Sequence, residues 1–169
     1  MSERLRDRFD GLVLEPGEEG YDAARTVWNA MVDRKPAVIA RCTSISDVVA
    51  AMRFGRSAGL EIGVRGGGHS VRGALLVDLS PMDSVRVDPE ARRARVQGGA
   101  LLGRLDRASQ AYGLGTPAGN VSHTGVGGLT LGGGTGWLSR LHGLSCDNVA
   151  SYDLTTADGV LQYQMDIVR

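Results

Sequence analysis

The chain has almost no lysine. Lys35 is the only one among 169 residues, and arginine supplies the other eighteen of nineteen basic side chains. Nineteen acidic residues cancel them, so no overall field draws the protein to nucleic acid or to an anionic membrane. Aromatics are scarce at 5%, and no basic run alternates with them, which argues against a nucleic-acid groove. No apolar run is long enough to span a bilayer. Residues 1–10 are charged throughout and lack an apolar centre, so they do not read as a signal peptide. Cys42 and Cys146 make neither a disulfide framework nor a metal site, and a reducing, cytoplasmic location is expected. His69, His123 and His142 have no ligand spacing, so no metal is expected either.

Glycine is abundant instead, at 25 residues, about double the usual share. It gathers in the run Val64-Arg65-Gly66-Gly67-Gly68-His69-Ser70 and in residues 113–136, which hold ten glycines. Glycine weakens helices and strands, so such clusters persist where the main chain must approach something closely or take positive φ. Consecutive bare amides form concave nests that hold anions such as a pyrophosphate. The second stretch has no Gly-Lys-Ser/Thr ending of a Walker loop. It also lacks the long preceding strand and following acid of a Rossmann fingerprint. Apolar residues interleave its glycines, unlike a flexible linker. His69, at the lip of the first run, is open to two readings from the residues alone. It is either a turn residue whose ring caps a carbonyl, or a nucleophile or base at a ligand loop.

The first twenty residues read as a loosely docked arm. Tyr21, Ala24, Trp28 and Met31 predict a short helix over 21–32, ended by Pro36, and residues 37–40 predict a buried strand. Ser44 and Asp47 form a capping box signature for a helix that Gly59 stops. A strand over 62–65 then feeds the first glycine run, which places that loop where open α/β sheets bind ligands. Further strands are expected over 75–79 and 149–155, and a hairpin joins 84–87 to 92–96. Leu101, Leu105, Ala108 and Tyr112 mark another helix, and residues 137–141 a short one. The expected fold is α+β. An arm and short helix (1–33) precede a domain (34–169) whose two small lobes, about 34–96 and 97–169, meet at the glycine loops.

The quoted segments fall in a particular order. They are Val64 to Ser70 with Gly73, Asp78-Leu79-Ser80, Pro117-Ala118-Gly119, Thr124 to Gly136, and Gly143-Leu144 with Asp147-Asn148. Together they resemble the berberine bridge enzyme-like FAD-linked oxidases of the vanillyl-alcohol oxidase and p-cresol methylhydroxylase superfamily. The resemblance covers roughly Lys35 to Gly159 and implies a PCMH-type FAD-binding domain, two lobes clamping an extended FAD. It implies that Arg65, Gly66, Gly67, Gly68, His69 and Ser70 line one side of the cofactor. Gly119, Val121, Ser122, Gly125, Gly127, Gly128, Gly132, Gly133, Gly134 and Gly136 would form the other wall, with Asn148 and Val149 near the adenosine end. His69 matches the family's histidine that bonds covalently to the flavin 8α carbon. Val121 stands where some members carry a second tether, so no cysteinyl link is expected, and both cysteines are expected to be small buried hydrophobes. His123 lies in the loop beside the expected flavin face and reads as solvated.

The reaction so implied is hydride transfer from an alcohol, sugar or amine to flavin N5. Family members are considerably longer, and nothing after Gly159 resembles their remaining parts. The expectation is therefore an incomplete second lobe and no substrate domain, with a further chain supplying it or a homo-oligomer forming. The alternative is a non-catalytic FAD- or nucleotide-binding module, or an inactive remnant.

Overall fold

The computed structural model describes residues 2–69, 73–162 and 166–168. Its first half is a four-stranded sheet in the order β1 (Leu12–Leu14), β2 (Val38–Arg41), β4 (Leu75–Asp78), β3 (Ile62–Arg65). β2, β4 and β3 run parallel, and β1 joins β2 antiparallel. Alternation along the strands divides the core. Val38, Ala40, Leu75 and Val77 pack on one face with Leu5, Ala51 and Met52, while Ile39 and Leu76 meet Leu14, Tyr21, Ala24 and Val27 on the other. Burial on both faces is the usual condition of parallel strands.

Two expectations for the N-terminal region are corrected here. The expected loose arm over 1–20 is not seen in residues 2–20. Leu5 of α1 (Glu3–Arg6) and Val13 and Leu14 of β1 are buried, and β1 is an edge strand of the sheet. The helix expected over 21–32 is only α2 (Tyr21–Arg25). Thr26 turns to extended backbone, and Trp28 N donates to Gly68 O at 3.1 Å, so a tertiary hydrogen bond replaces the next helical turn. Trp28 and Met31, placed in that helix by their spacing, lie beyond its end and are exposed.

The capping box behaves as its sequence predicts. Helix α3 (Ile45–Ser57) starts where Ser44 Oγ accepts from Asp47 N at 3.2 Å and Asp47 accepts from Ser44 N at 3.2 Å. Asp47 also accepts from Thr43 N, Thr43 Oγ1 and Asp10 N, each at 2.9 Å, and so ties the N-terminal segment to α3. Gly59, at φ +63°, follows the helix end.

The second half is an antiparallel sheet in the order β5 (Val85–Asp88), β6 (Arg93–Val96), β10 (Asp166–Val168), β7 (Val149–Ser151). The β5–β6 hairpin, expected within the first lobe, pairs with β10 and belongs to this sheet. The strand expected over 149–155 is split into β7 and β8 (Leu154–Thr155). β8 forms a separate hairpin with β9 (Leu161–Gln162) around Gly159, at φ +73°. Helix α4 (Leu102–Gln110) buries Leu102 and Leu105 against Ala94, Val96 and Val126, the last in the short α5 (Val126–Leu131). A four-residue helix α6 (Ser139–His142) and a 3-10 turn over Cys146–Asn148 lead into β7. Among the described residues no helix is long and apolar enough to cross a membrane.

Burial pushes the Asp47 carboxyl up, but the hydrogen bonds from Thr43, Asp10 and Ser44 outweigh it and hold it below the usual carboxylate range. Its folded pKa being depressed, Asp47 contributes stability that is present above the ordinary carboxylate pKa and lost as pH falls through the folded value. Asp47→Ala is expected to cost about 1–3 kcal/mol in urea unfolding at neutral pH, and to cost less in acid. An equal loss at both pH values would contradict this account.

Candidate functional site

Both glycine runs are brought together between the two sheets. The first leaves the C-terminal end of β3, the second leads into α5, and their main chains touch at Gly67 and Gly125. A Cβ on Gly67 would stand 2.7 Å from Gly125 Cα, and one on Gly125 would stand 2.9 Å from Gly67 Cα. Neither distance admits a side chain. Gly66 and Gly127 both face Gly98 O, at 3.0 and 3.1 Å from their would-be Cβ atoms, so a third loop is locked into the junction.

The amides of Gly66, Gly67, Gly68 and His69 donate to no carbonyl or side chain among the described residues. Gly68 has φ +75°, the left-handed turn that lets successive N–H groups converge. Arg65 flanks them. Its guanidinium donates to Ala24 O and lies 3.9 Å from Asp78 Oδ1, and its buried Nε has no hydrogen-bond partner. Asp78, 1% exposed, is also held by Arg41 Nε at 3.1 Å and by Ser80 N at 3.0 Å. A cleft of about 490 Å³ opens beside this junction, lined among others by Arg65, Gly66, Gly67, Arg104, Arg107 and His123. Unpaired amides beside bare backbone, with Arg65 and Arg107 lining the same cleft, suit an anionic group close to the main chain, and the pyrophosphate of a dinucleotide fits that donor set.

The glycines of the second run divide by what surrounds them. Gly128 meets nothing within 4 Å, so no protein neighbour requires its bareness. Gly136 would collide with Ala118 O and Gly134 with the Ser145 side chain, so these serve the chain's own packing. Gly133 and Gly134, at φ +98° and +76°, present carbonyls to Cys146 N and Ser145 N at 3.0 and 2.9 Å. Gly119 packs against Leu129 and Leu102, and Gly132 lies over α5 carbonyls. Val121 and Ser122 are exposed in the loop before Gly125, and Ser122 O accepts from Gly103 N at 2.9 Å. Asn148 is buried, and its side-chain amide donates to His142 O and Leu144 O at 2.9 and 2.8 Å, stapling its own loop beside a half-buried Val149. Ser70 lies outside the described residues.

His69 is exposed, and its ring stacks on two others. His123 is 5.4 Å away with an interplanar angle of 9°, and Trp28 is 5.8 Å away at 25°. His123, read as merely solvated, is therefore part of a ring cluster. Cys42 is fully buried as expected, and burial, with Asp47 and Asp78 nearby, pushes its thiol up to about 12. Cys146 is only half-buried. Among the described residues no group of three or more His, Cys, Asp or Glu side chains could hold a metal ion. Sequence reasoning missed Arg104 and Arg107, because cations on the polar face of an amphipathic helix look the same whether they face solvent or a cleft. It missed Trp28 because helical spacing placed it in a helix that in fact ends at Arg25.

A family profile described as an FAD binding domain matches residues 36–163. The (R)-6-hydroxynicotine oxidase of Paenarthrobacter nicotinovorans is 36% identical over 95% of this chain and 36% of the relative. The berberine bridge enzyme-like D-1 of Nicotiana tabacum is 40% identical over 75% of this chain and 24% of its own. The crystal structure of 6-hydroxy-D-nicotine oxidase from Arthrobacter nicotinovorans superposes with a TM-score of 0.92 at 34% identity, covering 98% of this chain and 37% of that one. The chain spans about a third of the length of the curated relatives it matches first.

Crowding at the junction and openness at Gly128 give opposite expectations for one added methyl group. Gly67→Ala forces the two loops apart and should lower unfolding stability by about 1–3 kcal/mol. Gly128→Ala, in α5 with free space around it, should be neutral or stabilising by about 0.5–1 kcal/mol. Denaturant titration of both variants checks the pair, and equal effects would contradict the assigned packing.

Proposed function

The chain belongs to the FAD-binding domain family of the berberine bridge enzyme-like FAD-linked oxidoreductases, and on that basis we propose that its glycine junction holds FAD with His69 bonded to the flavin. The observation that carries this reading is the row of four unpartnered amides from Gly66 to His69, set against the bare surface at Gly128. These amides bind the pyrophosphate, and Arg65, ion-paired with Asp78 at 3.9 Å, lines the cleft beside them. Arg104 and Arg107 line the adjoining cleft; Arg104 is paired with Asp83 at 2.7 Å, which leaves Arg107 the freer cation among the described residues. Val121, Ser122, Gly125, Gly127 and Gly128 complete the wall, with Asn148 and Val149 toward the adenosine.

The bound flavin would supply an acceptor at N5 for hydride from an alcohol, sugar or amine substrate. What these residues contribute is binding and orientation: the two sheets fix the loops, and His69 keeps the ring system from leaving. Val121 offers no sulfur, so the histidine is the sole tether. In the relatives the matching segment is about a third of the polypeptide, and we propose that residues beyond the present ones, on the same or another chain, complete the substrate side.

The test is retention of flavin through denaturation. Wild-type protein precipitated with acid is expected to carry yellow, fluorescent flavin into the pellet, and His69→Ala is expected to release it into the supernatant. Equal retention by both forms would overturn the assignment of His69, and a colourless wild type that ignores added FAD would overturn the function.

A further inference from the structure

Three rings converge at the lip of the glycine junction from three separate segments. Trp28 comes from the bend after α2, His69 from the loop after β3, and His123 from the loop before α5. The centroids are 5.8 Å apart for Trp28 and His69, 5.4 Å for His69 and His123, and 6.1 Å for Trp28 and His123. All three planes lie within 25° of one another. Core formation does not account for the cluster, because Trp28 is 70% exposed and both histidines are exposed. Chelation does not account for it either. Parallel imidazoles present faces to each other, whereas a shared metal needs their ring-edge lone pairs aimed at one point.

Each flanking ring is delivered by an anchored main chain. Val27 is buried in the cluster with Ile39 and Leu76, and the next residue, Trp28, donates its N–H to Gly68 O, one residue before His69. On the other side Ser122 O accepts from Gly103 N, Thr124 O accepts from Leu102 N at 2.9 Å, and Gly125 abuts Gly67. The two neighbours of His69 are thus fixed to different sheets, and the His69 ring lies against both. Exposed side chains ordinarily sample several rotamers. Here two offset, near-parallel ring contacts restrict the plane of a ring that has no core to hold it.

We propose that Trp28 and His123 are positioning residues that fix the imidazole plane of His69 for attack on the flavin methyl carbon. This rests on the reading of His69 as the flavin tether. In that step a bond forms between an imidazole nitrogen and the 8α carbon, while one 8α C–H bond and the imidazole N–H bond break. Two protons and two electrons leave in total, and dioxygen takes them up as hydrogen peroxide. Neither Trp28 nor His123 exchanges a proton in this account. Their contribution is orientation, which selects the face and angle of the attacking nitrogen.

The experiment mixes flavin-free protein with FAD in air and follows covalent incorporation by acid precipitation and in-gel fluorescence. Reversible FAD binding is titrated with each ring substitution made in a His69→Ala background, which cannot form the bond, and thermal unfolding is recorded for every variant. Trp28→Ala and His123→Ala are expected to slow incorporation by about tenfold or more while reversible affinity changes by less than about twofold. Trp28→Phe and His123→Phe, which keep a flat ring, are expected to recover most of the rate with an unchanged unfolding temperature. Wild-type rates in both alanine variants would overturn the proposal. So would a His123→Phe variant as slow as His123→Ala, since that requires imidazole chemistry and not a ring face. A wild type that binds and tethers FAD while the variants behave alike locates the failure in the ring cluster. A wild type that never binds FAD overturns the tether reading and the proposal together.

Discussion

The approach of Gly67 to Gly125 is the constraint on which everything else depends. One glycine follows a strand of the parallel sheet and the other leads into the helix that packs on the antiparallel sheet. Their α-carbons meet with no space for a methyl group on either side. Because the contact is main chain against main chain, it fixes the separation of the sheets without any adjustable side chain. It also fixes where the free amides of the first loop point. Gly98 wedges against Gly66 and Gly127 at the same place, so three connections meet in one rigid knot. Side chains that would otherwise fill such a junction are missing because the backbone itself is the packing surface.

Around this knot the polar groups fall into two sets. Asp78 and Asp47 are nearly fully buried carboxylates whose lone pairs are satisfied by named donors. Arg41 and Ser80 serve Asp78, while Thr43, Ser44 and Asp10 serve Asp47. These groups hold the sheet ends and the N-terminal segment in place. The Gly66–His69 amides and Arg65 Nε are the opposite case, donors left over beside a cleft. Buried donors without acceptors are costly in a folded chain. These leftover donors, of which Gly68 and Arg65 Nε are buried, gather where the parallel strands stop, the end of the sheet at which the proposed ligand binds.

Much of this was legible in the residues. The capping box, the strand over Ile62–Arg65, the hairpin and the stop at Gly59 follow from local rules that tertiary context did not override. The expected meeting of the two lobes near the glycine loops is seen where Gly67 abuts Gly125. Other features were decided by long-range contacts that periodicity does not carry. Strand β1 exists because β2 has a free edge for it, and α2 stops at Arg25 because Gly68 O takes the Trp28 amide. The β5–β6 hairpin was recognised, but its sheet was not, since the partner strand lies some seventy residues later. Within the second run, sequence treats all glycines as equivalent. Only the folded packing separates Gly136, which makes room for Ala118 O, from Gly128, which faces open space.

The central claim is that main-chain amides from Gly66 to His69 hold the pyrophosphate of a dinucleotide flavin. Calorimetric titration of flavin-free protein with FAD and, separately, with riboflavin tests it most directly, because riboflavin carries the same ring system and no phosphate. The account predicts that FAD binds at one site per chain while riboflavin gives no comparable heat under the same conditions. Equal binding of the two, or a folded protein that takes up neither, would contradict it.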